Sequence, residues 1–129
     1  MASTINASVA SNGIINTADA SGILNIQSNG VNTNAQAWVN FNGTTSPGTI
    51  RAAYNVTSVT RSATGVYVLN FTNAFPNANY AVTAIGNNTS SGIFIVSLNG
   101  APTTTTCPIQ AYSTTANVNL DYIMCVIHG

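Results

Sequence analysis

Short alternations of apolar and polar residues, each closed by turn-forming residues, run through most of this chain. β-Branched and aromatic residues recur at every second position, and Asn29-Gly30, Thr64-Gly65 and Asn99-Gly100 interrupt them. A period of two is typical of strands that bury one face, and no window shows a sustained period of 3.6. The pattern predicts an all-β protein with little or no helix. Predicted strands cover residues 22–27, 36–42, 49–56, 58–62, 65–72, 79–85, 92–98, 108–114 and 119–127.

The chain divides into two regions of different composition. Residues 1–34 are rich in Asn, Ser and Ala and contain no aromatic residue, so they lack the large side chains that anchor a core. We predict an extended N-terminal arm that serves attachment or oligomerisation. Its candidate contact residues are apolar: Ile5, Val9, Ile23, Leu24 and Ile26.

Residues 35–129 contain every aromatic residue and enough apolar residues for one core. We predict an antiparallel β-sandwich or jelly-roll-like knob. Alternation places Tyr67, Leu69 and Phe71 on one side of their strand, and residues 72–78 are predicted to form a tight corner between antiparallel neighbours. We expect Trp38 and the tyrosines to pack in the core rather than form a sugar-binding platform.

Only four side chains carry a full charge at neutral pH, and the chain has neither lysine nor glutamate. An ordinary domain is about one quarter charged, and soluble β proteins use such charges to protect strand edges. Because this chain lacks them, we predict obligate assembly with copies of itself or with a larger particle. A net charge of zero attracts neither nucleic acid nor anionic lipid, and no apolar stretch is long enough to insert across a membrane.

The sequence offers no arrangement of residues that favours catalysis. Hydrolysis of a glycosidic bond needs two nearby carboxylates, and the two present are Asp19 in the arm and Asp121 in the last strand. The one histidine, His128, precedes the final residue, and no Gly-x-Ser-x-Gly motif accompanies it. We therefore predict no catalytic residue, no cofactor and no metal site.

The two cysteines allow two interpretations. If the last two strands form a hairpin centred on Ala116, Cys107 lies opposite Cys125, close enough for a disulfide. The N-terminus has no basic and apolar signal pattern, which predicts synthesis in a reducing cytoplasm. We favour two buried thiols.

Two polar stretches between predicted strands are the candidates for outward recognition, because loops carry binding residues on rigid β scaffolds. One stretch follows the strand ending at residue 85, and the other is part of a run of four threonines. The candidate residues are Asn87, Asn88, Thr89, Ser90, Thr103, Thr104 and Thr105.

Two stretches of the chain resemble bacteriophage tail-fibre and virion structural proteins. The N-terminal stretch comprises residues 3–8 and 15–28, with the sequence Thr17-Ala18-Asp19-Ala20-Ser21-Gly22. The second comprises Ala37-Trp38-Val39-Asn40-Phe41-Asn42-Gly43, residues 50–52, 55–56 and 67–72, and Pro76-Asn77-Ala78-Asn79-Tyr80. The second stretch resembles a module of fibre proteins from phages of marine and cyanobacterial hosts.

The resemblance implies a non-enzymatic component of a virion, assembled in the host cytoplasm. It implies a homotrimer that contacts other virion proteins and displays loops to the host surface, where a glycan is a possible receptor. The chain differs from long fibres because it has no repetitive shaft between arm and knob. Tail fibre or tail appendage is the first expectation, a capsid decoration protein is the second, and a carbohydrate-binding module is the third.

Overall fold

The computed structural model describes residues 27–28, 31–32, 34–89 and 92–129. The chain divides into two units, residues 1–33 and 34–129. In the first unit, strands β1 (Gln27–Ser28) and β2 (Val31–Asn32) pair antiparallel. The five candidate contacts of the arm, Ile5, Val9, Ile23, Leu24 and Ile26, lie outside the described residues, as does most of the strand predicted over 22–27.

The described residues of the second unit form eight strands, in agreement with the predicted all-β class. They are β3 (Ala37–Asn42), β4 (Thr49–Tyr54), β5 (Val56–Ala63), β6 (Val66–Phe71), β7 (Ala81–Asn87), β8 (Ile95–Leu98), β9 (Thr106–Tyr112) and β10 (Tyr122–His128). No helix among the described residues is long and apolar enough to cross a lipid bilayer.

The eight strands form two antiparallel sheets that pack as a sandwich, which confirms the predicted architecture. Sheet 1 has the strand order β4-β3-β10-β7, and sheet 2 has the order β5-β6-β9-β8. The chain stays within one sheet for the hairpins β3-β4, β5-β6 and β8-β9. It changes sheet between β4 and β5, between β6 and β7, between β7 and β8, and between β9 and β10.

Two predicted neighbour relations are wrong because the chain changes sheet where a hairpin was expected. Residues 72–78 connect β6 in sheet 2 with β7 in sheet 1, so they are not a corner between paired strands. After β9 the chain turns back briefly, and Val118 donates to the Ala111 carbonyl at 3.0 Å. Leu120 then enters the core with no exposed surface, and β10 continues in sheet 1.

The core lies between the inward faces of the two sheets. Tyr67, Leu69 and Phe71 are buried together, as the alternation predicted. Phe41 of sheet 1 meets Tyr67 of sheet 2 edge to face, with ring centroids 5.3 Å apart. The other fully buried large side chains come from both sheets and from the connection before β10: Val39, Val59, Cys107, Ile109, Leu120, Ile123, Cys125 and Ile127.

A second aromatic group closes one end of the sandwich. Phe71, Phe75 and Tyr80 pack on one another with centroid separations between 4.7 and 5.8 Å. The Tyr80 hydroxyl donates toward the carbonyls of Thr103 and Thr106, at 3.0 and 2.8 Å. This cluster therefore ties the start of β7 to the loop that precedes β9.

Four aromatic residues are not core residues, and the expectation that Trp38 and the tyrosines pack in the core is wrong for them. Trp38, Tyr54, Tyr112 and Tyr122 each expose between 37 and 44% of their surface. Successive side chains of a strand point to opposite faces of the sheet. In β3, Ala37 and Val39 point into the core, so Trp38 between them points outward, and β10 shows the same alternation. These four rings therefore point away from the core.

Candidate interaction surfaces

The outer face of sheet 1 is mainly apolar. Two cross-strand rows run over it: Tyr54, Trp38, Val126 and Thr83 in one, and Ala52, Asn40, Met124 and Ile85 in the next. The large apolar members are partly exposed, from 36% for Val126 to 64% for Ile85. We use the name "apolar face" for the surface formed by Trp38, Tyr54, Ile85, Tyr122, Met124 and Val126.

Arg51 and Asn40 lie beside the residues of the apolar face. The Arg51 guanidinium carbon lies 4.3 Å from the centroid of the Tyr122 ring, in cation–π geometry. A β-bulge shifts the pairing of β3 with β4 between Asn40 and Phe41, so Arg51 is the extra residue of β4 and has no partner in the register of β3. In the described structure the Asn40 Oδ1 atom is buried and accepts no hydrogen bond.

The outer face of sheet 2 is more polar than that of sheet 1. The Asn70 amide donates to the hydroxyls of Ser58 and Thr60, at 3.1 and 3.2 Å. The Gln110 amide donates to the Ser97 hydroxyl at 3.3 Å. Amide and hydroxyl groups on adjacent strands pair with one another here, and such groups remain favourable in contact with water. The two faces of the sandwich therefore differ in chemistry.

The two predicted recognition loops lie at opposite ends of the sandwich. Asn87 ends β7, and the Thr89 amide donates to the carboxylate of Asp121 at 3.2 Å, immediately before β10. Thr103 lies at the other end. Its carbonyl accepts from the hydroxyl of Tyr80, and Tyr80 is the residue just before β7 begins. A strand the length of β7 spans roughly 20 Å. One ligand of small size therefore cannot contact both loops.

The threonine run is bonded to the fold along its backbone. The Thr103 hydroxyl accepts from the amides of Thr105 and Thr106, at 3.2 and 3.0 Å. The carbonyls of Thr104 and Thr105 accept from the amides of Phe75 and Phe71, at 2.8 and 2.9 Å. These bonds hold the loop against the aromatic cluster. The other predicted loop is described at Asn87, Asn88 and Thr89, and Ser90 lies outside the described residues.

The charged side chains of the described residues contact neutral groups. The Arg61 guanidinium donates to the Thr44 carbonyl at 2.8 Å, and Arg51 stacks on Tyr122. His128 lies at the exposed end of β10. Within residues 34–89 and 92–129, no three His, Cys, Asp or Glu side chains come together as a metal site would require. Asp19 lies outside the described residues.

Cys107 and Cys125 are both free thiols buried in the core, which confirms the interpretation we favoured. The alternative in which a hairpin makes them cross-strand neighbours is wrong: Cys107 pairs with Leu69 in sheet 2, and Cys125 pairs with Val39 and Ala84 in sheet 1. Burial raises the pKa of Cys107 to about 11 and that of Cys125 to about 12. Both thiols are therefore protonated and unreactive at neutral pH.

Sequence reasoning missed the apolar face, although one signal for it was present. The segment from Tyr122 to Ile127 is apolar at six consecutive positions. A strand with one solvated face alternates, whereas a strand covered on both faces is apolar at every position. The apolar run in the predicted strand over 119–127 therefore indicated that both of its faces are apolar.

Comparisons with known proteins provide no assignment for these surfaces. No family model, no curated protein and no solved structure gives a significant match to the chain.

Proposed function

We propose that this chain is a non-enzymatic structural subunit of a bacteriophage virion, in which a β-sandwich knob assembles with copies of itself. The observation that carries the proposal is a mainly apolar outer sheet face on a chain with only four charged side chains. Few charges leave strand edges and apolar surface without the usual protection against association. A subunit that functions only within an assembly has no need of that protection.

The viral part of the proposal rests on the resemblance of two sequence stretches to phage fibre and virion proteins. The tail fibre or tail appendage is our first choice, with the homotrimer as its oligomeric state and other virion proteins as its neighbours. Loops at the ends of the sandwich are the parts available for contact with the host surface. Neither nucleic acid nor a membrane is a partner in this proposal.

Quantitative mass spectrometry of purified virus particles from the source of the sequence tests this function. We expect the chain to be present in the particles, and its copy number separates the two structural alternatives. A tail appendage gives a few tens of copies per particle, whereas a capsid decoration protein gives hundreds. Absence of the chain from washed particles contradicts the proposal.

A carbohydrate-binding module is a second candidate, and the exposed rings of Trp38, Tyr54 and Tyr122 are the observation that favours it. Sugar rings stack on exposed aromatic side chains, and Trp38 lies directly opposite Tyr54 in the strand register. A glycan array probed with the whole chain tests this candidate. Binding that is lost in Trp38→Ala supports it, and an array without signal eliminates it.

A further inference from the structure

We infer that the apolar face of sheet 1 is the interface that each copy of this chain buries against another copy. The inference deepens the proposed function, because it rests on self-assembly and assigns the surface that assembly uses. It differs from the sequence-based expectation, which placed the oligomer contacts on five apolar residues of the N-terminal arm.

The first argument is the apolar character of β10 on both sides. Ile123, Cys125 and Ile127 face the core and are buried, while Tyr122, Met124 and Val126 face outward. β10 is a central strand of sheet 1, so its outward residues occupy the middle of the face. Strands with apolar residues at every position belong to sheets that are covered on both faces. Sheet 2 covers one face of β10, and the other face has no covering element among the described residues of 34–129.

The second argument is the amount of apolar surface. A large side chain buries about 200 Å² when it is covered completely, so the six side chains of the apolar face expose roughly 500 Å² together. A stable interface buries about 800 Å² on each partner, of which about 60% is apolar. The apolar face therefore supplies about the apolar area that one side of a stable protein interface uses.

The third argument is the chemistry of the face, which fits a copy of the chain better than a glycan. Met124 and Val126 occupy its middle on β10, a central strand, and Ile85 lies beside Met124 on the edge strand β7. Sugars need several hydrogen-bonding groups beside the aromatic rings. Val126, Met124 and Ile85 provide none, and the Oδ1 atom of Asn40, which is paired with Met124, is buried. The charged side chain of Arg51 lies beside the face, and the Tyr122 ring already holds it. A mainly apolar surface is covered most favourably by apolar surface of another copy of the chain.

A pair of glutamate substitutions, made in the full chain, tests the inference. Met124→Glu places a charge at the centre of the apolar face, where a second copy would have to desolvate it. Val68→Glu is the matched control, because Val68 is an outward, half-buried position on β6, a central strand of sheet 2. Sedimentation velocity over a range of protein concentrations gives the dissociation constant of each variant, and circular dichroism reports whether each variant is folded.

We expect Met124→Glu to raise the dissociation constant on the order of 100-fold, and Val68→Glu to change it by less than about threefold. Ile85→Glu is a second variant for the same test. Ile85 is well exposed on an edge strand, so its substitution leaves the core intact. If Met124→Glu fails to fold, Ile85→Glu must weaken assembly, or the inference is wrong.

The failures of the inference and of the proposed function can be told apart. If Met124→Glu and Ile85→Glu both assemble as tightly as the wild-type chain, the inference is wrong, but self-assembly itself still holds. A wild-type chain that stays monomeric at about 100 μM overturns both the inference and the assembly on which the proposed function rests. Glycan binding by such a monomer, lost in Trp38→Ala, would identify the face as a sugar site instead.

Discussion

The buried hydroxyl of Tyr67 contacts two segments that are distant from it in sequence. It donates toward the Gly43 carbonyl at 3.0 Å and the Asn119 Oδ1 atom at 3.1 Å, and Asn119 also accepts from the Gly65 amide at 2.8 Å. Burial is the main cause that raises the pKa of this phenol above its ordinary value. The loop after β3 and the approach to β10 are thus fixed to the Tyr67 hydroxyl, and Asn119 in turn holds the turn between β5 and β6.

Replacing Tyr67 with Phe should lower the free energy of unfolding by about 1–2 kcal/mol, because buried acceptors lose a donor. Tyr112→Phe is the matched control, since its exposed hydroxyl lies 3.5 Å from the Thr115 carbonyl. That variant should change stability by less than about 0.5 kcal/mol. Urea denaturation at one protein concentration measures both values, and equal losses in the two variants would contradict the role given to Tyr67.

The buried thiols make stability sensitive to alkaline pH. Unfolding exposes Cys107 and Cys125 to water and returns their pKa values from about 11 and about 12 toward the ordinary 9.0. The unfolded chain then releases protons that the folded chain retains, so stability falls as pH rises above about 9. Each thiol contributes a slope of up to about 1.4 kcal/mol per pH unit in the interval between its two pKa values.

Urea denaturation at several pH values should therefore show constant stability between about pH 6 and 8 and a decline above about pH 9. Cys125→Ala removes one of the titrating thiols and should decline less steeply over the same interval. An unfolding free energy that stays constant up to pH 10 in the wild-type chain would mean that the thiols are accessible to water in the folded state.

At the scale of elements, the corner between β4 and β5 transfers the chain from sheet 1 to sheet 2. Asn55 forms this corner with a φ of 55°, in the left-handed region that Asn tolerates better than most residues. Its Oδ1 atom accepts from the Asn73 amide at 2.7 Å, and its Nδ2 atom donates to the carbonyls of Gln36 and Asn73. One side chain therefore fixes both the backbone turn and the neighbouring loop.

Two substitutions separate these contributions of Asn55. Asn55→Gly keeps the left-handed backbone and loses the side-chain bonds, so we expect a loss of about 1–2 kcal/mol. Asn55→Ala loses the bonds and also carries a backbone penalty of about 1 kcal/mol, so it should be the less stable variant. Thermal or urea unfolding gives the order, and an Ala variant as stable as the Gly variant would show that the backbone is not strained here.

The strands were predictable from sequence to within a few residues, while their arrangement was not. Alternation and turn residues are local signals, and they located β3 to β10 and the shared face of Tyr67 and Leu69. Sheet membership depends on contacts between residues far apart, so the hairpin assumed after β9 misplaced Cys125. Residue type alone did not distinguish the buried Tyr67 from the exposed Trp38, because the pleat decides which side each one takes.

At the scale of the whole molecule, the described charged side chains contact neutral groups. Arg51 lies on an aromatic ring, Arg61 donates to a carbonyl, and Asp121 accepts from a backbone amide. Such contacts act over short distances. Dissolved salt weakens interactions between exposed charges that are far apart, and it weakens these close contacts far less. Apolar burial and hydrogen bonds between uncharged groups therefore dominate the stability of the fold.

The unfolding temperature should therefore depend little on sodium chloride. Between about 0.05 and 0.5 M NaCl at neutral pH, we expect the midpoint to change by less than about 3 °C, because few charge interactions are available to screen. Sodium sulfate is the positive control, since it strengthens apolar burial and should raise the midpoint at the same ionic strength. Differential scanning calorimetry at fixed protein concentration measures both responses. A midpoint that falls by many degrees in NaCl would show that charge pairs carry a large part of the stability, and the few charged side chains would then have to act together.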